Sequence, residues 1–539
     1  MKKTININSL LFIAIISIYF ATFLNLKFWS FSIINAEINN IFAVLALFFA
    51  IFTVFFLFFI LFSFVTCPYI GKIITGTLLI FSAASDYCLQ YLGIVINHDM
   101  IRNLVETDYG EALDFITANF ICYVTILGII PAIGLFFINI VYDNFKKELK
   151  KRALCILSGI LIIISIFPFF SKYYLFFGRN HYQIRYYLNT ANYIYGVIRY
   201  YKENASINRK FVILDSAPTI IPNESEKPVV TVLIIGETAR AANFSLYGYK
   251  KKTNPLLEKQ DIYVFKDTTS YGTSTAVSLP YMFYPSEKKE FSVIDAKYKQ
   301  NILDIIKATD TDIIWKDNDG GCKGVCLRVP YTDARIEKTS PYCFDDYCYD
   351  EILLNGLDDY LNHIQKNTLI VLHTMGSHGP SYHNRYPTEM EKFKPVCNTN
   401  DLQKCTSEEI INAYDNTMLY TDYFISSVID ILKTKNNIQT SMLYVSDHGE
   451  SLGEHNIYLH GMPAKIAPKE QKKIPMILWL SDSLKKNMDI DADCLHKKAA
   501  KGTFSHDNYP HTVLGLMRIK TTVYKEKFNL LYKCSKNVN

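Results

Sequence analysis

The sequence of 539 residues has no marked excess of either charge, because 56 Lys and Arg stand against 51 Asp and Glu and leave a formal net charge of +5. It has no basic tract interleaved with aromatic residues, so we expect no nucleic-acid partner. No two cysteines have the CxxC spacing typical of zinc ribbons, which argues against that class of metal site. Internal repeats and low-complexity tracts are also missing. What the sequence does contain is unevenly distributed along the chain.

Twelve cysteines are present, and their surroundings predict different states. Four lie in or beside apolar segments and are expected to be inert thiols: Cys67, Cys88, Cys122 and Cys155. Six form close pairs in polar, loop-like sequence: Cys322 and Cys326, Cys343 and Cys348, Cys397 and Cys405. Short-range disulfides in an oxidising compartment explain these three pairs best. Cys494 and Cys534 are left over and can pair with each other.

Apolar and aromatic residues make up 50% and 14% of the chain, and the aromatic excess lies in the first third. Five apolar segments there are long enough to cross a bilayer, at about 10–26, 41–65, 70–96, 120–141 and 153–170. Buried core helices are the alternative, but residues 41–65 carry no charge, which favours spanning. The first segment could also be a signal peptide, although it has no small-residue cleavage site.

Basic residues between the fourth and fifth segments predict the orientation in the membrane. Lys146, Lys147, Lys150, Lys151 and Arg152 fill this short loop, which should therefore be cytoplasmic. Five crossings then place the N-terminus inside and everything after residue 170 outside. The predicted disulfides require the same side for the second half of the chain, so two unrelated signals agree.

From about residue 228 the sequence alternates strands and helices, which predicts a mostly parallel sheet covered on both faces. Three of the predicted strands end in polar residues that suit a metal. Glu237 follows the first strand, His373 and His378 follow a second, and Asp447 and His448 follow a third. Because α/β sheets place their sites at these strand ends, and zinc takes nitrogen and oxygen donors, one shared metal site is expected. A capped turn after the third strand is the alternative interpretation.

Residues 270–280 hold a glycine, clustered hydroxyls and then apolar residues, which is typical of a turn entering a helix. A hydroxyl such as that of Thr275 would face free N–H groups that can hold a phosphate. An ordinary Ser/Thr N-cap is the alternative. Metal coordination would lower the pKa of the Thr275 hydroxyl and make it a nucleophile. In the loop at 97–118, Asn103, Thr107 and Glu111 recur every four residues and share one helical face, which a purely solvated face would also explain.

Six stretches together resemble the lipid A phosphoethanolamine transferases of Gram-negative bacteria, a family that includes the mobile colistin-resistance enzymes. These stretches are residues 236–240, 272–275, 378–380, 411–416, 446–454 and 458–463. The resemblance covers nearly the whole chain, including the five membrane segments. It implies a five-helix transmembrane domain followed by an α/β domain with the alkaline phosphatase/sulfatase-like fold.

The resemblance also implies roles for single residues. Zinc would be held by Glu237, Thr275, Asp447 and His448, with Thr275 as the nucleophile that forms a phosphoethanolamine-enzyme intermediate. His378 and His460 would line the phosphoryl group, a second zinc, or both. The residues that would contact the substrate are Lys323, Asn103, Thr107 and Glu111, the last three at the ethanolamine end of the donor. This assignment replaces the solvated-face interpretation of the loop at 97–118.

The implied reaction moves phosphoethanolamine from phosphatidylethanolamine to a phosphate of lipid A, releases diacylglycerol and lowers susceptibility to polymyxins. A transferase with another acceptor, such as a core sugar, a glycan or a surface protein, is the alternative, followed by a non-catalytic membrane sensor. A sulfatase is disfavoured because the context of Thr275 lacks the Cys/Ser-x-Pro-x-Arg pattern. We expect a monomer of the bacterial inner membrane that contacts membrane lipids. Its expected parts are a transmembrane domain at 1–175, an interfacial helix and linker at 176–227, and a periplasmic catalytic domain at 228–539.

The sequence departs from the family at a few positions near the expected site. Tyr271 and Tyr281 stand where some members have a disulfide flanking the nucleophile, so that loop must be held differently. Asp319 and Gly320 replace polar neutral residues near Lys323. His455 is an additional imidazole, for which a solvated loop position and a metal ligand are both considered.

Overall fold

The computed structural model describes residues 5–36, 38, 40–106, 113–205, 209–222, 225–285, 288–336, 340–344 and 347–535. Contacts divide the chain into two compact units. The first unit comprises Met1–Ile101 and Ile116–Arg199, and the second comprises Arg102–Phe115 and Tyr200–Asn539. Residues 102–106 and 113–115, the described parts of a loop that the sequence places after the third apolar segment, therefore belong to the second unit.

The first unit is helical. Its helices are α1 (Ser9–Thr22), α2 (Leu26–Asn35), α3 (Ile41–Val65), α4 (Gly71–Tyr87), α5 (His98–Glu106, which continues into the second unit), α6 (Ala118–Val124), α7 (Ile130–Gly134), α8 (Phe145–Asn180) and α9 (Asn189–Asn204, which does likewise). A short parallel pair joins β1 (Ile5–Asn8) to β2 (Ile138–Val141). Within the described ranges, four helical stretches are long and apolar enough to cross a membrane, and they are Ile41–Val65, Gly71–Leu92, Ala118–Phe137 and Phe145–Asn180.

The first predicted segment, at about 10–26, corresponds to α1 and ends where α2 begins. These two helices meet at 58°, and they count as a fifth crossing only if the bent pair is one span. At the bend, the Asn25 side chain donates to the Phe20 carbonyl and accepts the backbone N–H of Asn189, so a buried polar side chain satisfies the backbone that the bend exposes.

The basic residues 146–152 also differ from expectation, because they form the first turns of α8 instead of a loop. Asn144 caps this helix by accepting the N–H of Lys147 at 3.0 Å. Arg152 reaches the carbonyls of Ser63 and Thr66, where α3 ends, at 2.6 and 2.8 Å. A cation at a helix C-terminus is favourable, so this charge cluster also stabilises α3.

The second unit is built on a seven-stranded sheet with the order β5-β16-β12-β4-β11-β7-β8. Its strands are β4 (Val229–Gly236), β5 (Ile262–Val264), β7 (Asp312–Asp317), β8 (Tyr331–Asp333), β11 (Thr368–His373), β12 (Gln439–Ser446) and β16 (Met476–Leu480). The five strands from β12 to β8 are parallel. At one side, β16 pairs antiparallel with β12 and β5 pairs antiparallel with β16, so only β16 runs opposite to the other six strands. The expectation of a mostly parallel sheet is confirmed.

The remaining strands of this unit are short: β3 (Thr219–Ile220), β6 (Asp267–Thr269), β9 (Cys343–Phe344), β10 (Tyr347–Cys348), β13 (Ser451–Leu452), β14 (Tyr458–Leu459), β15 (Lys473–Ile474), β17 (Thr503–Ser505) and β18 (Ile519–Lys520). Its helices are α10 (Thr275–Met282), α11 (Val293–Lys297), α12 (Ile302–Lys307), α13 (Leu357–Asn362), α14 (Ser407–Lys433), α15 (Asp482–Asn487), α16 (Ala492–Lys501) and α17 (Asn508–Leu516). Helices α12 and α17 share a core with Leu233 and Leu443 of the sheet. The alternate residues Ile234 and Tyr444 are equally buried, so the sheet is covered on both faces.

All four disulfides lie in the second unit. The three short pairs predicted from the sequence are confirmed: Cys322–Cys326, Cys343–Cys348 and Cys397–Cys405. The two cysteines left over also pair, because Cys494 of α16 bonds to Cys534 across a separation of 40 residues. Cys67, Cys88, Cys122 and Cys155 are free thiols, as expected.

Candidate metal centre

Register in the sheet brings the polar strand ends together. Gly236 of β4 pairs with Ser446 of β12, so Glu237 and Asp447 leave the sheet side by side. Both side chains, and that of His448, are completely buried. Oδ1 of Asp447 accepts the backbone N–H groups of Thr238 at 3.2 Å and His448 at 2.6 Å. Oδ2 has no hydrogen-bond partner among the described residues, so this buried carboxylate oxygen is suited to binding a cation.

Thr275 is the first residue of α10 and closes this group. Its hydroxyl donates to Oε2 of Glu237 at 2.9 Å and lies 3.4 Å from Nε2 of His448. The N-cap residue of α10 is Ser274, whose side chain makes no capping hydrogen bond. The Thr275 hydroxyl therefore faces the carboxylates and the imidazole and does not cap the helix.

The His448 ring has a defined tautomer. Nδ1 donates to the carbonyl of Gly449 at 3.0 Å, and burial lowers the pKa of His448, so the ring is neutral. The lone pair of Nε2 then faces Oδ2 of Asp447 at 3.2 Å and Oε1 of Glu237 at 3.4 Å. Three acceptors that face one another repel unless a cation lies between them.

These distances fit a tetrahedral zinc ion. Two ligands that are each about 2.1 Å from such an ion lie about 3.4 Å apart, close to the separations around Nε2 of His448. One donor atom from each of Glu237, Asp447 and His448 lies within 4.8 Å of the other two. The Thr275 hydroxyl supplies a fourth oxygen, so the residues that are present match the donor set of a closed zinc site.

His378 and His460 lie beside this group and with Glu237 form a second set of potential metal ligands. Their ring centroids are 5.2 Å apart, and that of His460 is 4.6 Å from that of His448. Burial and the neighbouring His460 lower the pKa of His378 well below its usual value, and its Nδ1 has no hydrogen-bond partner in the described part of the chain.

His460 differs from His378 because it has a carboxylate partner. Nδ1 of His460 lies 2.8 Å from Oε2 of Glu450, and the other oxygen of Glu450 accepts the Tyr382 hydroxyl at 2.7 Å. Burial alone would lower the pKa of His460, but the Glu450 carboxylate together with Asp447 and Asp319 raises it above its usual value. Sequence reasoning did not assign a role to Glu450 or Tyr382. The only signal was that Glu450 lies within the stretch 446–454.

Neither Lys323 nor Asn103 lies at a strand end, because Lys323 is on a loop and Asn103 is on helix α5. The Lys323 ammonium donates to the carbonyls of Glu106 at 3.2 Å and Gly320 at 3.3 Å, and its loop is closed by the Cys322–Cys326 disulfide. Asn103 is half-buried on α5, three residues before Glu106. Thr107 and Glu111 lie outside the described residues.

Two further contacts in the second unit concern the loop that carries Asn103. Lys297 forms an ion pair with Glu106 at 2.8 Å. Arg385 donates to the carbonyl of His378 at 2.9 Å and pairs with Asp114 at 3.3 Å. The described part of this loop is thus joined through Arg385 to the backbone of His378, a connection that sequence reasoning did not predict.

The loop before α10 is held by an aromatic stack. The rings of Tyr271 and Tyr281 lie 3.8 Å apart at an interplanar angle of 18°, and Phe291 packs its edge against both. Tyr281 also donates to Asp507, and the N–H of Tyr271 donates to Nδ1 of His506 at 3.2 Å. The sequence predicts that the loop before Thr275 is held by something other than a disulfide, and this aromatic stack holds it.

His455 is exposed and takes part in none of the metal-ligand groups found among the described residues. Its backbone has a positive φ of 53° within a short turn. The structure therefore favours a solvated loop position for this residue.

Comparison with known proteins gives consistent matches for both parts of the chain. A family model described as "Phosphoethanolamine transferase EptA/EptB" matches residues 54–205, and a sulfatase family model matches residues 230–519. Phosphoethanolamine transferase EptA of Salmonella typhimurium is 36% identical over 96% of this chain and 95% of its own length. Phosphatidylethanolamine transferase Mcr-1 of Escherichia coli is 39% identical over 76% of this chain and 78% of its own.

Solved structures agree with these matches. The integral membrane protein lipooligosaccharide phosphoethanolamine transferase A of Neisseria meningitidis superposes with a TM-score of 0.95 at 35% identity, over 98% of this chain and 99% of that one. The C-terminal periplasmic domain of phosphoethanolamine transferase EptC of Campylobacter jejuni superposes with a TM-score of 0.53 at 42% identity, over 60% of this chain and 98% of that one.

Proposed function

The chain belongs to the phosphoethanolamine transferase family, and from this premise we propose that it transfers phosphoethanolamine from phosphatidylethanolamine to a phosphate of lipid A. It is a multi-pass protein of the bacterial inner membrane with its α/β domain in the periplasm. The observation that carries the proposal is the Thr275 hydroxyl. It is buried at the start of α10 and lies against Glu237 and His448, where its side chain can act as a nucleophile.

Zinc held by Glu237, Thr275, Asp447 and His448 would lower the pKa of the Thr275 hydroxyl and offset charge on a phosphoryl oxygen. In the first half-reaction, Oγ1 of Thr275 bonds to the donor phosphorus while the bond from phosphorus to the glyceride oxygen breaks. The hydroxyl proton passes towards Oε2 of Glu237, its hydrogen-bond acceptor at 2.9 Å. The products are diacylglycerol and a phosphoethanolamine-threonine intermediate.

The leaving glyceride oxygen needs a proton, and two imidazoles lie near enough to be considered. His460 is the better proton donor because the Glu450 carboxylate favours its protonated form. His378 is held neutral by burial and by neighbouring positive charge, so it has no imidazolium proton to give. We assign the proton donor to His460. His378 then lines the phosphoryl group, and the pair offers a second, weaker zinc position together with Glu237.

In the second half-reaction, a phosphate oxygen of lipid A gives its proton to His460, which the first half-reaction left neutral, and attacks the phosphorus of the intermediate. The bond from phosphorus to Oγ1 of Thr275 breaks, the hydroxyl regains its proton, and lipid A carries a new phosphoanhydride. Lys323 provides a point charge for the phosphate of the donor lipid. The ethanolamine end of the donor is assigned to Asn103, Thr107 and Glu111. Membrane tethering raises the effective concentration of two substrates that stay in the bilayer.

The consequence for the cell follows from charge. Lipid A phosphates attract cationic peptides, and phosphoethanolamine places an ammonium group beside each modified phosphate. The proposal therefore includes a lowered susceptibility to polymyxins.

The test is mass spectrometry of lipid A from a Gram-negative host whose own lipid A lacks phosphoethanolamine. With the wild-type chain, lipid A gains the mass of phosphoethanolamine and polymyxin resistance rises, and Thr275→Ala, inserted to the same level, gives neither. If a core sugar, glycan or surface protein gains the group and lipid A does not, the acceptor is wrong and the transferase remains. If nothing gains it, the transferase proposal fails.

A further inference from the structure

A second group of buried polar side chains lies at the same edge of the sheet, one strand further along. His373 is the last residue of β11 and pairs in register with Asp317, the last residue of β7. Asp319 follows two residues later. His373 and Asp317 are completely buried, and Asp319 is 2% exposed. The reaction proposed above assigns no role to any of these three side chains.

Asp317 is fully satisfied by hydrogen bonds. Its Oδ1 accepts the backbone N–H groups of residues 319, 320 and 321 at 2.9–3.1 Å. Its Oδ2 accepts Nε1 of Trp315 and Nδ1 of His373, both at 2.9 Å. Because a carboxylate with these partners can only accept, the His373 proton is fixed on Nδ1. A carboxylate on one ring nitrogen is the usual arrangement of a histidine whose other nitrogen binds a metal.

Nε2 of His373 points at Asp319 but does not form a hydrogen bond with it. Nε2 lies 3.6 Å from Oδ2 of Asp319, which is too long for a hydrogen bond. Neither Nε2 of His373 nor Oδ1 of Asp319 has a hydrogen-bond partner among the described residues. A buried imidazole nitrogen and a buried carboxylate oxygen on neighbouring side chains, each without a hydrogen-bond partner, would both be satisfied by one bound cation.

One donor atom from each of Glu237, Asp319 and His373 lies within 4.8 Å of the other two. The 3.6 Å separation is close to the distance of about 3.4 Å between two ligands of one tetrahedral ion. We propose that Asp319, His373 and Glu237 form a further divalent-cation site, separate from the donor sets of Asp447–His448 and of His378–His460, and linked to both through Glu237. One imidazole and two carboxylates suit a first-row ion such as Zn²⁺ or Mn²⁺.

A cation at this site would also affect the loop that carries Lys323, which is proposed to contact the donor phosphate. Asp319 and Lys323 belong to one loop, which leaves β7 and is closed by the Cys322–Cys326 disulfide. A cation bound by Asp319 would fix this loop to the end of β11 and so position the Lys323 ammonium. Asp319 and His373 are therefore positioning residues in this proposal.

The experiment counts metal in the full-length chain, purified in detergent, stripped with a chelator, reloaded with Mn²⁺ or Zn²⁺ and desalted. Asp319→Asn, which keeps the size of the side chain, is compared with the wild type, and His373→Gln is the second variant. Each should lose about one metal ion per chain and the corresponding Mn²⁺ electron paramagnetic resonance signal. Asp333→Asn is the matched control at the same sheet edge, because Asp333 already pairs with Arg335, and it should lose none.

A measurement on the wild type keeps the test independent of variant folding. Anomalous scattering from crystals loaded with Mn²⁺ should place an ion about 2.0–2.2 Å from Asp319 and His373. The proposal is overturned if no ion lies there, or if both variants bind as much metal as the wild type, since Asp319 and His373 would then form only a long ion pair. Asp447→Asn reports on the other centre, and the lipid A assay reports on the transferase, so each proposal fails separately.

Discussion

The two sides of the candidate site are held in different ways. Glu237, Asp447 and His448 follow central parallel strands, so the register of β4 and β12 fixes them and the sheet excludes water from them. Lys323 lies on a loop and Asn103 lies on α5, and these segments are held by a few polar contacts and a short disulfide. A rigid metal side combined with an adjustable substrate side suits the proposed reaction, in which two large lipids must enter the site. Mutations on the first side should affect the chemistry, and mutations on the second should affect substrate binding.

The largest effect is expected from Glu237→Gln, which removes a charged ligand and the hydrogen-bond acceptor of Thr275. We expect transfer from a fluorescent phosphatidylethanolamine to fall by about 10³-fold or more, in kcat. Added zinc should not restore it. Glu258→Gln, at an exposed pair with Lys252, is the control and should leave the rate unchanged. Near-normal activity of Glu237→Gln would mean that the rigid side is not the catalytic side.

A smaller effect is expected from Glu450→Gln, which keeps the shape but removes the charge next to His460. A loss of about 10–100-fold is typical for such a positioning carboxylate. Because Glu450 raises the pKa of His460, its removal lowers that pKa. A proton donor is lost as pH rises through its pKa, so the alkaline limb of kcat/KM against pH should move to lower pH. Tyr382→Phe should shift this limb less, and an unmoved limb would exclude His460 as the acid.

The difference between the two sides also explains what the sequence could predict. Buried strand runs that end in Glu237, Asp447 and His448 predicted both the parallel sheet and the meeting of these residues. Parallel strands of one sheet have their carboxyl ends at the same edge, so residues that directly follow such strands meet there. The pairing of close cysteines was predictable for the same reason, since short loops leave few alternatives.

Contacts between distant loops could not be predicted in this way. No periodicity relates Arg385 to Asp114, or Lys323 to the carbonyl of Glu106, because such pairs depend on the path of each loop. The bend between α1 and α2 was not predicted because the apolar segment at about 10–26 ends there, and the contacts of a buried Asn25 decide the geometry. The extension of α8 over residues 145–152 was missed because positive charge suggests a loop, whereas the Asn144 cap starts the helix earlier.

The two disulfides Cys322–Cys326 and Cys494–Cys534 allow a sharper comparison. Replacing both cysteines of the first pair by Ser should raise KM for the donor about 3- to 10-fold through the Lys323 loop, with little change in the unfolding midpoint. Replacing the second pair should lower the unfolding midpoint and leave KM unchanged, since its separation of 40 residues restrains the unfolded chain more. Assays under non-reducing conditions measure both, and the reverse result would remove the Lys323 loop from substrate binding.

The smallest effect is expected at the aromatic stack that supports the loop before Thr275. Tyr281→Phe keeps the stacked ring and loses only the hydroxyl that donates to Asp507, which should cost about 1 kcal/mol of stability and leave kcat within about 2-fold. Tyr271→Ala removes the stack itself, and an aromatic pair adds about 0.5–1.5 kcal/mol beyond its buried area. It should therefore lower the unfolding midpoint more and also lower kcat, because α10 carries Thr275. If Tyr271→Ala lowers the unfolding midpoint but leaves kcat unchanged, sheet register and metal ligation suffice to hold Thr275. The rigid side of the site then does not depend on the loop that precedes Thr275.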